Sequence, residues 1–340
     1  MGRLNIGGLS YSFGRGSFES YKDGIKREWV MTNGLGGYCG SSVIDSPFRN
    51  HHGLLIASLH APVKRYLILS KLNEHLSIGD KTYPLHTTRY KNHITKGYDN
   101  LSQFQYDTFP IYTYQVGDNM ITKEVLIKYK SNSTVIKYTI NTGAKDCRLT
   151  FSPCFNFRVH GDFSTGDDHV YSADSSEKEL SLKPVSEKTK SENATIHYRI
   201  SEGILRENDK ENLYDRDNYY DFEFETGSKE YDTHYMPVNH AISAKAHSTK
   251  TFYIQCEVTL DDCPPDYRQG LLEDYFNQVF NEHTMRMNGL VETAGAKSDL
   301  IKRLVISADQ FIAYRQSTGL KLSLIHISEP TRQESRSRMP

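Results

Sequence analysis

The sequence predicts a mainly β protein, a large antiparallel sandwich followed by helices, and three observations lead there. From about Tyr11 to Leu260 the chain reads as strands joined by turns, with no helical period of useful length. It holds 23 Tyr and 15 Phe against a single Trp, and aromatic side chains favour pleated, half-buried surfaces. After Pro264 and Pro265 the apolar spacing changes to that of a helix. With 340 residues there is enough chain for a proper buried core.

The first informative element runs from Glu28 to Ser58, EWVMTNGLGGYCGSSVIDSPFRNHHGLLIAS. Asn33-Gly34 is a tight-turn dipeptide, and Gly36-Gly37 lets the backbone take positive φ or approach another group closely. Arg49 to His52 is a polar cluster set just before an apolar strand, Leu54 to Leu59. The glycine spacing is neither GxGxxG nor GxxxxGK and no helical pattern follows, which argues against a phosphate cradle.

Further along, 122–130, 133–141 and 147–153 are expected to be neighbouring strands, with Gly117-Asp118-Asn119 and Asn141-Thr142-Gly143 as turns. Residues 183–196 are charged and poor in apolar groups, and are expected to form an exposed loop or hairpin tip. Tyr220, Phe222 and Phe224 alternate with Asp221, Glu223 and Glu225, as in a strand with one wet face. Phe252 to Val258 alternates in the same way.

Leu271, Leu272, Tyr275, Phe276, Val279 and Phe280 then place one apolar stripe on a helix, and a break is expected near Gly295. Ser298 can cap a second helix over 299–315, with a stripe of Leu300, Ile301, Leu304, Val305, Ala308, Phe311 and Ile312. One helix cannot bury such a stripe alone, so a helical partner is expected. Residues 322–332, LSLIHISEPTR, look like one reading frame of a sequencing-library adapter, and 322–340 is read as an artefactual, disordered tail. The resulting division is a sandwich over 1–262, a linker helix over 263–297, the start of a helical domain over 298–321, and that tail.

Composition narrows the function. A net charge of -1 gives no reason to expect nucleic acid or an anionic membrane as partner. No stretch approaches the ~20 apolar residues of a spanning helix, and Met1 to Phe13 does not read as a signal peptide. Five cysteines, at 39, 147, 154, 256 and 263, are few and odd in number, the usage of reduced thiols in a cytoplasmic protein. The histidines at 51, 52, 60, 86 and 93 lack HExxH spacing, the cysteine pairs have the wrong gaps for a zinc ribbon, and no GxSxG elbow is present. Neither metal nor cofactor is expected. Asp167-Asp168, Asp261-Asp262 and the pair Glu223 and Glu225 are expected on solvated faces.

The 28–58 segment resembles the opening of bacterial and archaeal glycogen debranching enzymes, the amylo-α-1,6-glucosidases. Their E-W-x-x-T-N-G-L-G-G-Y and R-x-x-H-G-L-L-x-A runs match Glu28, Trp29, Thr32 to Tyr38, Arg49, His52 to Leu55 and Ala57. The helix 299–315 resembles the first helix of that family's catalytic barrel. The resemblance implies an N-terminal sandwich, sometimes called a supersandwich, on an (α/α)6 barrel that cleaves α-1,6 branch points of glycogen or a branched α-glucan. The carboxyl pair of such a hydrolase would sit in the barrel, missing here, so no catalytic residue is carried over. The sandwich would support the barrel and orient substrate. Asn33, Gly36, Gly37, Tyr38, Arg49 and His52 are the candidate substrate-binding or barrel-facing residues; a polar network tying two turns together is the other reading of Arg49 and His52. Two other identities are a stand-alone glucan-binding β-module and the N-terminal domain of a glucoamylase-type hydrolase.

Overall fold

The computed structural model describes residues 10–260, 270–315 and 320–323. Two large antiparallel sheets face each other. The first runs Tyr11–Gly14, Leu101–Tyr106, Pro110–Val116, Asn119–Ile127, Ser133–Asn141, Thr249–Leu260, Ala194–Ile200, Glu179–Pro184 and Tyr171–Ser175. The second runs Arg206–Glu207, Val238–Ala244, Cys147–Val159, Val63–Ile78, Gly53–His60, Tyr38–Ser42 and Glu28–Thr32. The mainly β sandwich is what the sequence predicts.

The period of two explains the core. From Asn119 to Val125 the buried side chains are Asn119, Ile121, Lys123 and Val125, every second residue, and the strand ends with Leu126 and Ile127 buried as well. Leu69, Leu72 and Leu76 of the long strand Val63–Ile78, in the other sheet, belong to the same core. Lys123 sits on this inward face because two carboxylates meet it, Asp45 Oδ2 at 2.6 Å and Glu74 Oε1 at 2.7 Å. Tyr138 Oη donates to the same Glu74 oxygen at 2.7 Å. Burial opposes the Lys123 charge, but Asp45 and Glu74 outweigh it and hold its pKa above the ordinary value. A buried cation in the core is therefore paired, as burial of charge demands.

Three local expectations are corrected. Cys147–Val159 does not continue the first sheet; its neighbours are Val63–Ile78 and Val238–Ala244 in the second. The link 142–146 carries the chain across, held by Thr142 N to Ser248 O and Ala246 N to Asp146 Oδ1. Tyr220–Glu225 is not a strand. Asp221–Glu225 is a short helix, its acidic residues in the first turn where the helix end favours negative charge. Its aromatic residues have separate partners instead of one sheet face: Phe224 stacks on Tyr219 at 4.0 Å, and Phe222 lies under the Arg49 guanidinium at 3.8 Å. We number the helices α1 (Tyr21–Gly24), α2 (Asp221–Glu225), α3 (Leu272–Thr293) and α4 (Asp299–Asp309).

The third correction concerns α4. Ser298 caps it, its Oγ accepting from Ile301 N. The helix stops at Asp309, not at 315; Ile312–Arg315 is a strand paired with Leu320–Ser323, so residues 322 and 323 belong to a hairpin. The rest of the expected tail, 324–340, and the boundary at 262–263 lie outside the described residues. Helix α3 buries Leu272, Tyr275, Phe276 and Val279 on the first sheet, with Leu271 exposed. On α4 the packed residues are Arg303, Ile306 and Asp309, while Leu300, Ile301 and Leu304 face outward. The predicted stripe is thus a stripe of exposed apolar side chains.

Candidate functional site

The strand Glu28–Thr32 carries a candidate group at each end, and its five-residue reach separates them by roughly 16 Å. At the far end Asn33 is fully buried and closes the turn. Its backbone N donates to Gly37 O at 3.0 Å, its Oδ1 accepts from Leu35 N at 2.9 Å, and its Nδ2 donates to Ser131 O at 2.9 Å. Gly36 has φ +91, and a Cβ there would lie 2.5 Å from Pro62 O and 2.9 Å from Pro62 Cα. Gly37 lies so close that a Cβ would meet Ile56 O at 2.8 Å. Glycine is needed at both positions because the obstacle is backbone. Tyr38, next on the chain, donates from Oη to His51 O at 2.7 Å.

This turn holds the C-terminal helices. Gln310 Oε1, just past α4, accepts from Thr32 N at 2.9 Å and from Thr32 Oγ1 at 3.0 Å. Gly34 O accepts from Tyr314 N at 2.7 Å. Tyr129 packs beside Gly34 and carries the Arg286 guanidinium of α3 on its ring at 3.8 Å. Arg286 in turn pairs with Asp309 of α4. Beside this joint, a groove of about 500 Å³ runs between α4 and the sandwich, lined by Trp29, Phe104, Tyr106 and Phe311 among others.

At the near end, Glu28 joins Arg49 and His52. Its Oε1 accepts from Arg49 Nη2 at 2.7 Å, and its Oε2 lies 2.9 Å from His52 Nε2. Burial pushes the Glu28 carboxyl up, but the hydrogen bonds to His52 and Arg49 outweigh it and hold it below its ordinary value. Burial pushes the His52 imidazole down despite Glu28. A neutral His52 that donates from Nε2 presents a bare acceptor at Nδ1. That Nδ1 is buried without a partner among the described residues, and so is Arg49 Nε.

Helix α2 covers this corner. Asp221 accepts from Tyr21 Oη at 2.8 Å, and Phe222 covers Arg49. Glu223 is not on a solvated face. It is 6% exposed, both its carboxylate oxygens lack hydrogen-bond partners, and its nearest cation-forming group is His51 Nδ1 at 3.7 Å. Between α2 and the Glu28–Arg49 pair lies a cleft of about 300 Å³. The sequence reading singles out neither Glu28 as the hub nor Phe222 as the cover. Glu28 heads the quoted motif and had a local signal; α2 lies some 170 residues away and had none.

The structure therefore brings Arg49 and His52 together through Glu28, and Asn33, Gly36 and Gly37 together in the turn, but does not merge the two groups. Among the described residues no set of three or more His, Cys, Asp or Glu is placed to hold a metal. No helix among them is long and apolar enough to cross a membrane. The free thiols Cys39, Cys147, Cys154 and Cys256 are all buried.

Among solved structures, a protein titled as a kojibiose phosphorylase from human microbiome is similar at 10% identity and TM-score 0.43, over 83% of this chain and 39% of its own. A bacterial glucoamylase complexed with acarbose is similar at 12% identity and TM-score 0.35, over 84% of this chain and 39% of its own. This chain thus spans about two-fifths of the length of each. No curated protein matches it. The model of the family described as glycogen debranching enzyme N terminal matches residues 27–251, from the strand that carries Glu28 to the last strand of the sandwich. That match takes in both ends of the candidate site and well over half of the chain, which belongs to the glycogen debranching enzyme N-terminal family.

Proposed function

We propose that this chain is the non-catalytic sandwich of a glycogen debranching enzyme, an amylo-α-1,6-glucosidase that hydrolyses α-1,6 branch points of glycogen or a related branched α-glucan. The observation that carries the reading is the joint: Gln310 and Tyr314 bond to Thr32 and Gly34 within the family-matched segment. The turn at 32–37 thereby works as a seat for helices that lie outside the sandwich. The outward apolar face of α4, with Leu300, Ile301 and Leu304, is the surface on which a catalytic helical barrel would pack. Exposed apolar stripes of this kind mark interaction sites.

In this reading the acid and the base or nucleophile of hydrolysis belong to the barrel, and the sandwich supports it and orients substrate. Buried free thiols agree with a cytoplasmic setting. The direct test is to incubate the purified chain with glycogen limit dextrin and assay free glucose. The expected result is no release above a buffer control. Glucose release that scales with the amount of homogeneous chain would contradict the assignment of catalysis to another domain.

A further inference from the structure

The cleft under α2 has no part in the joint, and its chemistry can be read separately. Its charged walls are Lys22, Lys26 and Arg49 against Glu28, Asp221 and Glu225, three cations facing three anions. Such a balance gives neither an anion nor a cation a net attraction. The exposed ring of Phe222 supplies an apolar face between these polar edges, with Phe48 buried in the wall. Arg49 is held flat: Phe222 lies 3.8 Å from its guanidinium carbon, Phe48 lies at 5.3 Å, and Glu28 fixes Nη2. Only that nitrogen donates to a described residue; Nε is buried, so the remaining Nη donors are the ones left for a ligand. Mixed-sign hydrogen-bonding edges around an apolar face suit a ligand that is neutral, flat on one side and rich in hydroxyls. Hydroxyls both donate and accept, and a pyranose ring has an apolar face to set against an aromatic ring.

We propose that the cleft between Glu28–Arg49 and α2 is a binding subsite for a neutral saccharide unit, distinct from the seat at residues 32–37. Arg49 and Glu28 bond the hydroxyls, and Phe222 bears the ring. The volume of about 300 Å³ admits one sugar ring and leaves the rest of an oligosaccharide outside. The inference rests on the debranching reading only in expecting the sugar to be α-linked.

The test is calorimetric titration of the whole chain with maltoheptaose, with cellopentaose and with inorganic phosphate, repeated on Phe222→Ala and Arg49→Lys. Both variants are first checked for an unchanged melting temperature, and Arg49→Lys keeps the charge while losing the planar fork. The expected result is maltoheptaose binding that weakens roughly ten-fold in each variant, about the worth of one stacked or bidentate contact. Binding of cellopentaose with the same sensitivity, and none of maltoheptaose, supports the subsite and contradicts the debranching reading. No binding of either sugar, binding unchanged in both variants, or a preference for phosphate overturns the inference.

Discussion

The two ends of the strand Glu28–Thr32 are finished in opposite ways. At the Asn33 end the buried amide is bonded on both its oxygen and its nitrogen, and glycine backbone fills the remaining space. At the Glu28 end the bonds are equally short, yet His52 Nδ1, Arg49 Nε and both Glu223 oxygens are left without partners among the described residues. A buried polar group without a partner costs about 1–3 kcal/mol, so the second end holds stability in reserve where the first does not. The difference separates a joint, where every group is committed, from a corner where buried polar groups stay unpaired.

The comparison breaks most sharply at Gly36. A methyl group there would meet the Pro62 backbone, and φ +91 is itself unfavourable for an L side chain. Gly36→Ala is expected to destabilise the chain by about 3 kcal/mol or more, read from the denaturation midpoint. A loss well under 1 kcal/mol would mean that the turn is not rigid.

The opposite sign is expected at Glu223. Replacing this carboxylate of α2 by leucine, Glu223→Leu, removes a buried acidic group that has no hydrogen-bond partner among the described residues. Stability should rise by about 1–2 kcal/mol at neutral pH. A loss of stability would show that the His51 contact at 3.7 Å, and not the missing hydrogen bonds, dominates Glu223.

The sandwich and the turn were legible in the sequence because their signals are local. Alternation across Asn119–Ile127 and Thr249–Leu260, and the Asn33 to Gly37 run, each lie within a few residues. The corner was only half legible. Arg49, His52 and Glu28 share one motif, but the alternation of Tyr220 to Glu225 points to a strand with Glu223 in water. Six residues of alternation cannot reveal that Phe222 and Phe224 reach different partners. Helix α4 shows the same limit, since its pattern runs on to Ile312. What ends it is the hold of Thr32 on Gln310, some 278 residues apart in sequence. Lys123 illustrates the converse: its neighbours Ile121 and Val125 put it on the inward face, while its partners Asp45 and Glu74 lie far back in the chain.

The central claim is that the family-matched turn seats the C-terminal helices, and hydrogen exchange in the Gln310→Ala variant tests it most directly. Loss of the acceptor shared by Thr32 N and Oγ1 should speed exchange across Asp299–Asp309 roughly ten-fold, leaving Ser133–Asn141 and Thr249–Leu260 at their wild-type rates. Unchanged exchange in α4, or an equal rise in every strand, would contradict it.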